Sequence, residues 1–417
     1  MRQQEAQKKA NVILIACILF NLSIGVLYAW SVIKARLTIG INDGGWGWTS
    51  SEAGLPYTVA IVTWAIGLLV GGRMQDKIGP RLVVTTGGIM VGLGLVLSGV
   101  IGNSVTGITI CYGVIMGIGI GFGYGGVTPP ALKWFHPSKK GLVSGLIVGG
   151  FGLAAAFYAP ITNMLLDNFG IEQTMIFLGV AIMIITIPIA RLINNPSEGY
   201  TPPIPAKMKQ SATKHSDAEM TWRQMVKTKR FWLICIMFLF SASVGLMVIG
   251  NITKIARAQA GVTDGALLAG LVSFLAVTNS AGRVLGGLVS DKIGRINALF
   301  VVFILQALNM LGFAFYRDLT TLILGIIVVG FSYGTLMSVF PSLTADQYGL
   351  KHYGLNYGIV YLSWGIAGVV APVMADYFFD INGNFYITYT ICAVMMAAMV
   401  VMNYLLKRDI ASLKKVA

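Results

Sequence analysis

Residues 277–295 read VTNSAGRVLGGLVSDKIGR, and they place one arginine, Arg283, inside a run otherwise apolar enough to cross a membrane. An ionised arginine at the centre of a bilayer costs about 2.5–3.5 kcal/mol on insertion scales, so it faces a cavity or a partner. It does not escape by losing its proton. Counting back from Asp291 at the end of the run, a rise of about 1.5 Å per residue sets Arg283 roughly 12 Å into the membrane. Its planar fork matches a carboxylate bidentately. Of the sixteen acidic residues, only Asp376 falls inside an apolar span; the rest sit in loops or at span ends. The expectation is therefore that Arg283 receives its anion from outside, as the carboxylate of a bound solute. The alternative is that it bonds backbone carbonyls at a helix break, or reaches Asp376. Asn279, one helical turn earlier, shares its face.

Other chemistry is poorly provided for. His136, His215 and His352 fall in expected loops, and Cys17, Cys111, Cys235 and Cys392 all lie in apolar runs where thiols behave as small hydrophobes. Acid–base or metal catalysis needs such groups to converge, so neither an enzyme nor a metal or other cofactor is expected. Gly121, Gly123 and Gly126 satisfy G-x-G-x-x-G but lie in an apolar run with no strand before them, which excludes the dinucleotide-binding reading. Gly113, Gly117, Gly121 and Gly125 instead give one helix face a smooth surface for close packing. The leader MRQQEAQKKA is basic, but the apolar run after it is too long for a secretory signal and is read as the first span.

The elements that must hold these residues follow from composition. The 417 residues are 56% hydrophobic and 11% charged, with mean hydropathy +0.76. A soluble domain carries about a quarter charged residues. Apolar runs of about 20 residues, the length needed to cross a bilayer, recur twelve times, the fifth and sixth at Gly141–Leu166 and Thr174–Leu192. The expected fold is an all-α membrane protein of twelve transmembrane helices. The net charge of +14 reports topology rather than nucleic acid: with the N-terminus in the cytoplasm, the outer loops hold only Lys34, Arg36, Lys254, Arg257 and Arg317. By the positive-inside rule both termini are expected in the cytoplasm.

A polar segment rich in Pro, Lys and Ser, 194–230, divides the chain into halves at 1–193 and 231–417, six spans each. The halves repeat. GGRMQDKIGPR at 71–81 matches GGLVSDKIGR at 286–295, GFGYGG at 121 matches GFSYGT at 330, and Gly141, Gly145 and Gly152 have counterparts at Gly354, Gly358 and Gly365. Pseudo-symmetric halves are the mark of transporters that alternate access around a midplane site. Asp76 and Asp291, at span ends with Arg81 and Arg295, are read as gate residues that can meet a helix N-terminus and basic side chains.

The repeated G-x-x-x-D-K-x-G is similar to the loop signature of the major facilitator superfamily. KWFHPSKKGLVSGLIVGGFG at 133–152, YAW at 28–30 and NSAGRVLGGLVSDKIGR at 279–295 more closely resemble the monocarboxylate transporters and the bacterial oxalate and formate exchangers. That family's D-G-G-W-G-W opens its first span, whereas DGGWGW here, Asp43–Trp48, follows the span. The resemblance implies an arginine clamp at Arg283. It also implies that the aspartate found in mammalian carriers is replaced here by Asn279, and that the exchanger's second basic residue is replaced by Trp364. One fixed charge suits one carboxylate. At the Leu27 position the oxalate exchanger has an amide, so this site is expected to be drier.

Tyr28, Tyr124, Tyr333, Tyr361 and Trp364 could wall a small pocket, since tyrosine offers an apolar face with one hydroxyl. The expected function is a secondary active transporter of small monocarboxylates such as L-lactate or pyruvate, by proton symport with alternating access, as a monomer in the bacterial inner membrane. Asp376 is the candidate proton carrier. The alternatives are an anion exchanger of the oxalate and formate type and a transporter-like monocarboxylate sensor.

Overall fold

Apolar runs punctuated by glycine, and with few strand-forming alternations, fold here as helix. The computed structural model describes residues 3–197, 199–202 and 219–416. Its helices are α1 (Gln3–Ile24), α2 (Trp30–Leu37), α3 (Ser50–Ile78), α4 (Pro80–Ile101), α5 (Val105–Ile108), α6 (Gly117–Trp134), α7 (Lys140–Leu192), α8 (Trp222–Met225), α9 (Lys229–Ala260), α10 (Gly265–Ile293), α11 (Arg295–Phe313), α12 (Leu319–Tyr348), α13 (Tyr353–Asn382) and α14 (Tyr386–Val416). A 3-10 turn, Gly25–Ala29, joins α1 to α2, and a π-helical stretch, Thr109–Met116, joins α5 to α6.

Among the described residues, eleven helical runs are long and apolar enough to cross a membrane, one of them 56 residues long from Pro137 to Leu192. That run is two helices joined at Gly170, whose φ of 77° and ψ of −177° break the helix. Only glycine adopts such a conformation readily. The break falls between the fifth and sixth spans expected from sequence. Side chains such as Ile184, Leu308 and Val394 are more than 60% exposed, as lipid-facing positions must be.

Helix ends are set by local chemistry. Thr49 caps α3 in a capping box with Glu52, and Asp318 caps α12 by accepting from the Thr321 N–H at 3.0 Å. Gly79 and Gly294, with φ of 85° and 88°, turn the chain from α3 into α4 and from α10 into α11.

The described chain forms two compact units. The first comprises Met1–Pro137, Gly150–His215 and Leu350–Leu362; the second comprises Ser138–Gly149, Ser216–Gly349 and Ser363–Ala417. Helices α7 and α13 thus each contribute to both. In the first unit, α3 and α6 meet along glycine: Gly117 lies against Ala60, Gly121 against Trp64 and Leu68, and Gly71 against Phe122, too closely for a Cβ. In the second unit, α10 and α12 meet the same way, Gly282 against Phe331, Gly286 against Thr335, and Gly330 against Thr278. Small residues let helix backbones approach where apolar surface alone gives no drive to associate.

Candidate functional site

Arg283 lies on α10 and is 3% exposed. Its Nε donates to the Asn279 Oδ1 at 3.1 Å, one turn earlier on the same helix. One terminal nitrogen donates to the Val148 carbonyl of α7 at 2.7 Å. A backbone carbonyl, the alternative partner expected from sequence, thus holds part of the guanidinium. Together these two bonds orient the guanidinium. The backbone of Arg283 is also gripped. Gly334 of α12 sits where a Cβ would meet the Arg283 nitrogen at 2.7 Å and the Asn279 carbonyl closer still. Gly145 of α7 sits against the Arg283 carbonyl.

In the same unit, the indole of Trp364 donates to the Tyr333 hydroxyl at 2.7 Å, and both rings are buried. The other three expected aromatics lie in the first unit, where the structure gathers them. Tyr28, in the 3-10 turn, packs edge-on to Phe151 at 5.4 Å, while Tyr124 meets Phe151 at 5.5 Å, Trp64 at 5.4 Å and Tyr361 at 5.8 Å. Trp64 and Phe151, at the centre of this cluster, were missed in the sequence. The signal was there: Gly67 and Gly71 mark the face of α3 turned toward α6, and Trp64 lies one turn before Gly67.

The two motif aspartates have matching surroundings. Asp291 accepts from the backbone N–H groups of Gly141 at 2.8 Å and Leu142 at 2.7 Å, the second and third residues of α7. Asp76 accepts from Gly354 at 3.1 Å and Leu355 at 2.9 Å, the second and third residues of α13. Each carboxylate therefore caps another helix's N-terminus, where N–H groups lack intrahelical acceptors and the dipole favours negative charge. The approach is made possible by paired glycines: Gly72 against Gly354, and Gly287 against Gly141, in backbone contact.

The nodes differ in their ion pairs. Arg295 donates to Asp291 at 2.5 Å and to Asp346 at 3.1 Å, and Lys140 reaches Asp346 at 3.0 Å. Arg81, its expected counterpart, is exposed, and Asp76 takes its bonds from the Gly354 and Leu355 backbone. The side chain of Asp376 and the loop residue His215 lie outside the described residues. Among the described residues, no group of three or more His, Cys, Asp or Glu is placed to hold a metal ion.

Comparison with known proteins agrees with this architecture. The sequence is 28% identical over 366 residues to an oxalate:formate antiporter of Oxalobacter formigenes, covering 86% of this chain and 82% of the relative. It is 27% identical over 370 residues to an uncharacterized MFS-type transporter, YhjX, of Escherichia coli, covering 88% of each. Monocarboxylate transporter 13 of Rattus norvegicus matches at 23% identity over 82% of this chain and 76% of its own length. The fold is similar to the solved structure of the Escherichia coli fucose:proton symporter FucP, with a TM-score of 0.71 at 14% identity, covering 94% and 98% of the two chains. The Major Facilitator Superfamily sequence model matches residues 12–372, and the chain belongs to that superfamily of multi-pass membrane transporters.

Proposed function

We propose that this transporter carries small monocarboxylates such as L-lactate or pyruvate, by proton symport with alternating access between two six-span halves. The observation that carries the reading is Arg283: a buried cation on a membrane helix, aimed by Asn279 and the Val148 carbonyl, both neutral. Charge-assisted bonds from such a fork to a carboxylate are about twice as strong as neutral ones. Relatives named for monocarboxylate and for oxalate and formate transport support the substrate class. Trp364 bonded to Tyr333 is not a cation, which favours one carboxylate over two. Tyr28, Tyr124 and Tyr361 are proposed as recognition residues, with Asp76 and Asp291 as gates that release their capped helix N-termini during the cycle. Arg295 is proposed to act with Asp291, and Arg81 to enter the gate in another state of the cycle. An amide at Asn279 takes up no proton, so Asp376 is the proposed proton carrier. Both termini are proposed to lie in the cytoplasm of a bacterial cell, with the protein proposed to act as a monomer in the inner membrane.

The test is uptake of labelled L-lactate into proteoliposomes with an inward proton gradient, for the native chain, Arg283→Gln and Asp376→Asn. Gradient-dependent accumulation that disappears in Arg283→Gln is expected. Two carboxylate bonds at about 1.5–3 kcal/mol each correspond to at least a hundred-fold loss in kcat/KM. Equal uptake by Arg283→Gln would remove the arginine from the mechanism. The second reading, anion exchange, rests on the antiporter relative; uptake that requires a preloaded internal anion would establish it in place of symport.

A further inference from the structure

The segment that leads into α9 is built more firmly than a connector requires. Thr221 and Gln224 close a capping box on α8, with bonds of 2.8 Å and 2.9 Å. Met225 is fully buried, and the Met220 N–H donates to the Tyr348 carbonyl at 3.1 Å. This fixed turn nevertheless displays two large indoles, Trp222 at 41% and Trp232 at 58% exposure. Trp232 turns its N–H back to the Val226 carbonyl at 3.1 Å, which leaves the rest of its ring outward. Arg223 lies over the Trp222 ring at 5.6 Å, and Lys227 and Lys229 are exposed between the two tryptophans.

A fourth cation lies beneath. Arg230 is 7% exposed and stacks over the Tyr348 ring at 5.3 Å. It bonds the Gln347 side-chain oxygen at 3.4 Å and the Met220 sulfur at 3.6 Å, and among the described residues its Nε has no hydrogen-bond partner. Among the described residues it makes no ion pair. Residues 220–232 hold four cations and no acid, and Glu219 just before them packs against Gly349. The turn therefore combines surplus positive charge with outward indoles at the start of a membrane span.

We propose that this turn, Trp222–Trp232, seats the phosphate headgroup of an anionic phospholipid. Lys227, Lys229 and Arg223 surround the phosphate, and Trp222 and Trp232 lie at the depth of the lipid ester groups. Aromatic residues prefer that interfacial layer, and basic residues beside a span attract anionic headgroups. The seat is independent of the solute carried, since it lies outside the proposed Arg283 site.

The experiment is native mass spectrometry of the full chain in detergent, titrated with phosphatidylglycerol or with phosphatidylcholine of the same acyl chains. Tighter retention of phosphatidylglycerol is expected. Each basic residue near a membrane surface is worth about five-fold in affinity, so Lys227→Gln/Lys229→Gln should weaken the tightest adduct roughly twenty-five-fold. Trp222→Ala/Trp232→Ala should also shorten its retention. The control Lys8→Gln/Arg191→Gln removes the same charge from the first unit and should leave that adduct in place. Equal retention of both lipids, an unaffected Lys227/Lys229 variant, or an equal loss in the control would overturn the proposal. Complete displacement by millimolar inorganic phosphate would identify a free-anion site instead and also overturn it.

Discussion

Replacing Asp291 by asparagine removes one charge and one acceptor from the best-connected node in the structure. The carboxylate accepts from Gly141 and Leu142 through different oxygens and pairs with Arg295 at 2.5 Å, both ionic side chains being 9% exposed. An asparagine keeps one oxygen, and its amide nitrogen only donates. At least one backbone N–H at the start of α7 is then orphaned, at about 1–3 kcal/mol. Arg295 also loses one of its two acidic partners, keeping Asp346. Breaking a buried ion pair costs about 3–5 kcal/mol, and the retained Asp346 offsets part of that. A net of about 3 kcal/mol against the packing of α7 on α10 follows, or roughly a hundred-fold in its opening equilibrium. Ser144 of α7 is fully buried, so Ser144→Cys in a background without the native cysteines reports opening through its maleimide labelling rate. Asp291→Asn should raise that rate about a hundred-fold, whereas Lys292→Gln, at an exposed neighbour, should not. An unchanged rate in Asp291→Asn, or an equal rise in Lys292→Gln, would refute the reasoning.

Gly334→Ala inserts a Cβ 2.7 Å from the Arg283 nitrogen, where neither backbone can yield without moving a helix. Overpacking of this kind costs about 1–3 kcal/mol, and lactate uptake should fall although every side chain of the proposed clamp is intact. Trp364→Phe removes the 2.7 Å bond to Tyr333 and should lower the thermal midpoint by an amount equivalent to about 1 kcal/mol. At Asp318, hydrogen bonds from the Thr321 backbone, then from its hydroxyl, hold the carboxyl below its ordinary value of 3.8. The folded state thus favours the charged form. That contribution is present above about pH 4 and disappears as pH falls through the lower folded value. Asp318→Asn should therefore narrow the difference in thermal midpoint between pH 5 and pH 3.

What sequence reveals here depends on the range of the interaction. Composition and run length are local sums, so the spans were legible, including the boundary at Gly170 that leaves Gly141–Leu166 and Thr174–Leu192 as separate traverses. The repeat was legible because Asp76 and Asp291 keep the same spacing to the glycines that turn the chain at Gly79 and Gly294. Arg283 stood out because its insertion penalty is a property of one residue. Its partner on α7 did not, because a backbone carbonyl such as that of Val148 has no residue identity to read. Trp64 and Phe151 were overlooked for a related reason: an aromatic in an apolar span has the same composition whether it faces lipid or a cluster. Arg81 is exposed where Arg295 is buried and paired with Asp291, since identity of type within a repeat does not ensure identity of contact.

The repeated motif itself can be explained by distance. A carboxylate on one helix reaches the first-turn N–H groups of another only if the two backbones nearly touch, and Gly72 and Gly287, each one turn before its aspartate, are where they do. The partner residue must be small as well, which accounts for Gly354 and Gly141 at the second positions of α13 and α7. The glycine after the aspartate then takes a positive φ, 85° at Gly79 and 88° at Gly294, so that the chain leaves the contact at once. Glycine, aspartate and glycine thus have separate duties: approach, capping and departure. Alanine at Gly287 should therefore act like loss of the Asp291 charge, because it removes the cap by distance while leaving the carboxylate in place. If Ser144→Cys labelling rises in Gly287→Ala as it does in Asp291→Asn, and the two changes together add little more, approach and capping are one interaction. Full additivity would mean that the glycine contact and the carboxylate bonds stabilise the packing independently, and the motif would need another explanation.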